Sequence, residues 1–233
     1  GILSMSEILQ TEARGPLNPA QMHCVGAVFE SGQRLLGTVN SVLHYTSLIG
    51  GVTHIQQETC RLVELCASAV RTIKPDAEAK QLSITQTFTP LNVTIASDAQ
   101  GIIQVITELL ENAVKFTPTG GCIELTITAL PEADVVHIVV ADTGIGMSDD
   151  QLSSLFHPFT QGDQTLARRF GGLGLGLAYV HEMVIRLGGT VTVASQPSAG
   201  SHFTVVLPMQ LSAPAAGLWP TRAYVPAPSP YDL

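Results

Sequence analysis

Cys122-Ile123-Glu124-Leu125-Thr126-Ile127-Thr128-Ala129 and Val135-Val136-His137-Ile138-Val139-Val140-Ala141 read as two strands, because β-branched residues dominate both. Pro131-Glu132-Ala133-Asp134 lies between them and suits a hairpin turn better than a helical crossover, so the strands should pair antiparallel. Working outward, the pattern predicts strands near 53–57, at 82–88 and at 93–95, with helices over 59–79 and 99–115. Downstream it predicts a helix over 173–187 and a closing hairpin of 190–194 with 202–207. This order gives an α+β fold with helices on one face of a largely antiparallel sheet.

Toward the N-terminus, Ile2, Met5, Ile8 and Leu9 recur at helical spacing over 2–10, and Gly15-Pro16-Leu17-Asn18-Pro19 stops that helix. A second helix over 20–49 carries Val25, Val28, Leu35, Val39, Val42 and Leu43 on one stripe and ends at Gly50-Gly51. The two read as a helical hairpin, one arm cut short. After Pro208 the composition turns to Ala, Pro and Ser without an apolar period, as in a linker. The expected division is 1–51 for the hairpin, 52–210 for the mixed domain and 211–233 for the tail.

With 45% hydrophobic and 13% charged residues, the 233-residue chain can bury one sizeable core and a smaller appended element. A net charge of -8 without a basic run argues against a nucleic-acid partner. A nucleotide is a different case, since backbone N–H groups, one or two basic side chains and a cation can hold it. Cys24, Cys60, Cys66 and Cys122 lack CxxC spacing and sit in apolar stretches, which predicts buried free thiols and a reducing cytosol. No apolar run is long enough to cross a bilayer. The chain starts at Gly1 inside a helical pattern and reads as a fragment of a longer protein.

Three elements carry chemistry. Asp142-Thr143-Gly144-Ile145-Gly146-Met147 follows a strand, so a carboxylate emerges at the strand end and the glycines let backbone approach a ligand, although a plain turn has the same residues. Gly171-Gly172-Leu173-Gly174-Leu175-Gly176 opens a helix and can turn N–H groups toward phosphate, or serve as a hinge. Its spacing and the missing parallel strand set it apart from a dinucleotide fingerprint. In Glu108-Leu109-Leu110-Glu111-Asn112-Ala113-Val114-Lys115-Phe116-Thr117, the residues Glu108, Asn112 and Lys115 share one helical face. That face can reach a Mg²⁺ ion and phosphates together, or simply be solvated.

In this order and at these separations, the three elements resemble the N, G1 and G2 boxes of the ATP-binding domain shared by sensor histidine kinases, DNA gyrase, Hsp90 and MutL. Leu155-Phe156-His157-Pro158-Phe159-Thr160-Gln161-Gly162-Asp163 resembles the kinase F box, and Arg168-Arg169-Phe170 resembles the end of the ATP lid, which favours the kinase branch. The closing segments Leu187-Gly188-Gly189-Thr190 and Gly200-Ser201-His202-Phe203 are similar to those of the family, as is the hairpin. The resemblance implies a two-layer α/β sandwich of the Bergerat type, preceded by part of a dimerisation hairpin.

It further implies that Asp142 takes the adenine amine, that Gly144, Ile145 and Gly146 line the base pocket, and that Phe116 lies against adenine. Asn112, with Glu108, would hold Mg²⁺, and Lys115 would meet phosphate. Gly172, Leu173, Gly174, Leu175 and Gly176 would give backbone to the triphosphate, under a lid between Phe159 and Phe170. Arg168 or Arg169 would neutralise terminal phosphate charge.

Three departures bear on activity or affinity. The family's phosphoacceptor His is absent and would lie upstream of Gly1; His23 and His44 lack its motif, and His181-Glu182 only imitates a His-Glu pair, so this fragment is not expected to phosphorylate itself. Glu108 stands where such kinases commonly carry Asn, in the place of the water-activating Glu of hydrolytic relatives, though holding metal-bound water is the preferred role. Leu173 replaces a frequent Thr. The expected function is the ATP·Mg²⁺-binding part of a cytoplasmic, or membrane-anchored, homodimeric sensor kinase of hybrid type that passes phosphate to a response-regulator receiver domain. The alternatives are a regulatory ATP-binding module without transfer and a slow ATPase using Glu108.

Overall fold

In the computed structural model, residues 1–50, 55–160 and 173–210 are described. Helix α1 (Ile2–Gln10) packs on α2 (Pro19–Ile49), where Gly32 lets the Leu3 side chain approach the helix backbone. Asn18 starts α2 with a reciprocal cap: its carboxamide oxygen accepts from Gln21 N–H at 2.8 Å, and the Gln21 side chain accepts from Asn18 N–H at 2.9 Å. Pro19 at the first helical position explains why α2 begins one residue before the expected start.

A small antiparallel sheet pairs β1 (Glu58–Arg61) with β3 (Thr94–Ser97). Of the strand expected near 53–57, residues 53 and 54 lie outside the described residues, 55–57 join no ladder, and the strand is corrected to Glu58–Arg61. The cause lies 42 residues away: Gln56 N–H donates to the Asp98 carboxylate at 2.8 Å instead of joining a ladder, while the other Asp98 oxygen accepts from Gly101 N–H at 2.7 Å and caps the next helix. Helix α3 (Leu62–Ala79) therefore starts three residues later than expected, and α4 (Ala99–Phe116) runs from that Asp98 cap.

The main sheet has the order β2 (Ser83–Thr89), β4 (Cys122–Leu130), β5 (Val135–Asp142), β7 (Ser201–Pro208), β6 (Thr190–Ser195). The β4–β5 hairpin is antiparallel in the register Leu130 to Val135 and Ile123 to Asp142, and its turn is a short 3-10 segment, Pro131–Ala133. All neighbours are antiparallel except β2 and β4. Ile123, Leu125 and Ile127 of β4 and Val136, Ile138 and Val140 of β5 face a core shared with Cys66, Ala69 and Ile73 of α3 and with Ile102, Ile106, Leu109 and Leu110 of α4. Helix α6 (Gly176–Arg186), which follows the short α5 (Asp149–Ser153), adds Val180, Met183 and Val184. Helix α4 lies between α3 and α6, giving one helical layer on one sheet.

Two further expectations change. Helix α6 begins at Gly176, not at 173, because Gly174 takes φ +68°, where a side-chain carbon would also collide with the Thr160 carbonyl. Cys60 and Cys66 are buried, but Cys24 and Cys122 are exposed: Cys122 falls on the outward phase of the β4 alternation and Cys24 on an uncovered face of α2. Burial pushes the Cys66 thiol up to about 12, so it is chemically quiet. No described helix is long and apolar enough to cross a membrane.

Candidate functional site

The alternation of β5 places Val136, Ile138, Val140 and then Asp142 on the buried side. Asp142 is 8% exposed, a carboxylate standing where the strand pattern calls for an apolar residue. Burial raises its pKa, and the opposing contributions are the N–H groups of Gly144, at 2.7 Å, and Ser201, with the charge of His202 smaller. An acid is thus kept there at a desolvation cost, braced by two backbone donors.

The loop after Asp142 is docked on the end of α4. Ile145 N–H donates to the Phe116 carbonyl at 3.3 Å, and a side-chain carbon on Gly144 would come within 2.8 Å of that same oxygen. At Gly146, which takes φ +64°, a side-chain carbon would collide with the Gln196 carbonyl. Ile145 itself is 40% exposed, and its carbonyl accepts from Ser198 N–H at 2.6 Å. Phe116 is half-buried, with the Lys115 ammonium 5.1 Å from its ring centre, and burial lowers the Lys115 pKa.

One and two turns back along α4, the amide of Asn112 donates to the Glu108 carbonyl at 2.9 Å, which leaves its Oδ1 as the acceptor. The Glu108 carboxylate accepts from Gln104 at 2.9 Å, and desolvation raises its pKa against that bond and the nearby charge of His44. At the start of α6, a side-chain carbon on Gly176 would collide with Glu108 Oε2 and lie 4.0 Å from Asn112 Nδ2. The constraint on Gly176 therefore comes from the Glu108 side chain across the two helices, not from its φ. Leu173 is half-buried and Leu175 is buried at the head of α6.

Glu108, Asn112, Lys115 and Phe116 of α4 thus meet Gly144 and Ile145 of the loop after Asp142 at one end and Gly176 at the other, while Gly146 lies against Gln196 and Gly174 against Thr160. Phe159 stands apart: it is 67% exposed at φ +62°, although its neighbour Thr160 touches Gly174. Gly172, Arg168 and Arg169 lie outside the described residues.

Sequence reasoning missed Tyr179 and Arg186 here. Tyr179 is buried beside Glu108 and its hydroxyl is pushed up to about 12, by burial first and then by the charges of Glu108 and Asp98. Its spacing from Gly176, one helical turn, was the available signal. His44 of α2 stacks loosely on Tyr179 at 6.4 Å, and Arg186 of α6 donates to the Leu48 carbonyl near the end of α2. His181 lies against Phe156 at 5.4 Å and Glu182 pairs with Arg186, so that His-Glu pair is structural. The Thr117 hydroxyl is buried without a hydrogen-bond partner among the described residues. Thr117→Val should therefore keep stability or raise it by up to about 1 kcal/mol in urea unfolding. A clear loss would mean that the hydroxyl is bonded in the folded protein.

Residues 97–211 match the family described as histidine kinase-, DNA gyrase B-, and HSP90-like ATPase. The chain belongs to that family and carries its ATP-binding domain. Within the family it is a catalytic domain of the sensor histidine kinase type. It is 37% identical to the autoinducer 2 sensor kinase/phosphatase LuxQ of Vibrio cholerae, over 100% of this chain and 27% of that protein. The crystal structure of full-length ShkA in complex with AMPPNP superposes with a TM-score of 0.73 at 31% identity, covering 91% of this chain and 43% of the other. The histidine kinase ThkA, solved in complex with the response regulator protein TrrA, has the same fold, with a TM-score of 0.65 at 16% identity over 89% of this chain and 57% of that one. The chain spans about a quarter of the length of the curated relatives it matches.

Proposed function

We propose that this chain binds ATP with Mg²⁺ through the residues around α4, and that the whole protein transfers the γ-phosphate to a histidine upstream of Gly1 and then to an aspartate of a response-regulator receiver domain. The observation that carries the proposal is the convergence on one helix of Asp142 with its glycine loop at the C-terminal end and of Gly176 against Glu108 and Asn112 one to two turns earlier. Three motifs distant in sequence would have no packing reason to meet there with glycines at each contact.

Asp142 supplies the acceptor for an adenine amine, and Phe116, Gly144, Ile145 and Gly146 flank it. Asn112 Oδ1 and the Glu108 carboxylate are hard oxygen donors that fit Mg²⁺, which when bound offsets phosphate charge. Lys115 and the N–H groups of Gly172 to Gly176 meet phosphate, with Arg168 or Arg169 reaching it from the lid and Phe159 at the lid's start. Homodimerisation through the hairpin is supported by Met5, Leu35 and Leu43, all more than half exposed. Free thiols and the use of ATP fit a cytoplasmic location, whether or not the whole protein is membrane-anchored. A receiver-domain partner is supported by the fold shared with a kinase solved with its regulator.

The raised pKa of Glu108 keeps a second reading open, hydrolysis with Glu108 as base. A version extended upstream, given γ-labelled ATP, separates the readings. Acid-labile phosphate on a histidine is expected; binding without transfer would point to a regulatory module. Glu108→Gln should weaken Mg·ATP binding by about ten-fold if Glu108 holds metal-bound water. Release of inorganic phosphate that vanishes in Glu108→Gln would instead establish the ATPase reading.

A further inference from the structure

Helix α4 ends with carbonyls that no helical N–H reaches, as every α-helix does. Thr117 N–H takes the carbonyl of Ala113 at 3.0 Å, and Ile145 N–H takes that of Phe116. The carbonyls of Val114, Lys115 and Thr117 all accept from one group, the Lys80 ammonium, at 2.7, 2.8 and 3.3 Å. An ammonium has three donors, so a single side chain satisfies all three and also opposes the negative end of the helix dipole.

Lys80 follows α3 directly, and its own carbonyl accepts from Gly120 N–H at 3.1 Å. Both ends of this half-buried residue are thus tied to the chain around the end of α4. The carbonyls on either side of Phe116 are held by Lys80, while the Phe116 carbonyl is held by the loop that follows Asp142. The last turn of α4, which carries Lys115 and Phe116, is fixed between the two.

We propose that Lys80 is a positioning residue of the nucleotide site: by gripping the final carbonyls of α4 it sets where Lys115 and Phe116 stand relative to the Asp142 loop. This inference rests on the ATP-binding reading above. It assigns Lys80 no contact with the nucleotide.

A double-mutant cycle tests it, with ATP and Mg²⁺ titrated calorimetrically into the full 1–233 chain well below the melting temperature. Lys80→Met should weaken binding by about ten-fold, as expected for lost charged hydrogen bonds that place a binding group. In a Lys115→Ala, Phe116→Ala background the same change should cost less than about two-fold, because the groups it positions are gone. Lys80→Arg, whose fork can still span two carbonyls, should recover most of the affinity. If Lys80→Met does not fold, Lys80→Gln carries the same comparison. A lower melting temperature with unchanged affinity overturns the proposal, and so does an equal loss in both backgrounds. Absence of Mg·ATP binding by the wild-type chain is a separate result, which overturns the ATP reading and this inference together.

Discussion

Asp142→Asn is expected to reduce ATP affinity by at least about 100-fold while leaving the folded protein as stable as before or more so. The two effects have opposite signs because the carboxylate is costly to the fold. Burial raises its pKa above the ordinary aspartate value, so the native state holds its proton more tightly than the unfolded chain. Its ionisation therefore destabilises the fold as pH rises from the ordinary aspartate value through the raised one. At neutral pH the asparagine removes that cost, and its oxygen can still accept from Gly144. For the ligand the exchange is unfavourable, since a neutral amide replaces a charged acceptor and adds N–H groups facing an adenine amine. Calorimetric titration and urea unfolding of one sample check both halves. The same logic predicts that ATP affinity of the wild type falls on acidification, starting above the pH at which a free aspartate protonates.

Gly146→Ala should be among the most damaging single methyl groups at the described residues, costing about 2–3 kcal/mol in urea unfolding together with loss of ATP binding. The residue sits at φ +64°, and the added carbon would collide with the Gln196 carbonyl, which is backbone and cannot swing away. Relief requires the loop to shift, and the loop carries Ile145, whose N–H holds the Phe116 carbonyl. Gly176→Ala offers the contrast. There the conflict is with a side-chain oxygen of Glu108, so stability should suffer less than affinity. Similar stability losses in both variants would contradict this assignment of the two glycines.

The hairpin of β4 and β5 was legible because β-branched runs around a short turn are local signals, and its position in the chain set the fold class. The parallel pairing of β2 with β4 was not, since nothing within either strand records which distant segment lies beside it. The same limit explains β1: Gln56 looks like strand until the Asp98 carboxylate takes its N–H from 42 residues away. Within the site, Asp142 was readable as a motif residue after a strand, while its place as the acidic member of a buried alternation appeared only with the fold. Gly176 was found as part of a glycine tract, but the reason for it, the side chain of Glu108, became visible only when α4 and α6 met. Lys80 gave no signal because a lysine after a helix is ordinary until three carbonyls of another helix converge on it. The exposed Cys24 and Cys122 show the opposite error, in which an apolar neighbourhood along the chain was taken for burial in space.

The most direct test is an amide chemical-shift titration of the ¹⁵N-labelled 1–233 chain with AMPPNP and Mg²⁺. The account predicts saturable shifts concentrated at Asn112, Lys115 and Phe116, at Gly144 to Gly146, and at Gly174 to Gly176, and their loss in Asp142→Asn. No shift, or shifts confined to residues away from the C-terminal half of α4, would contradict the placing of an ATP site there.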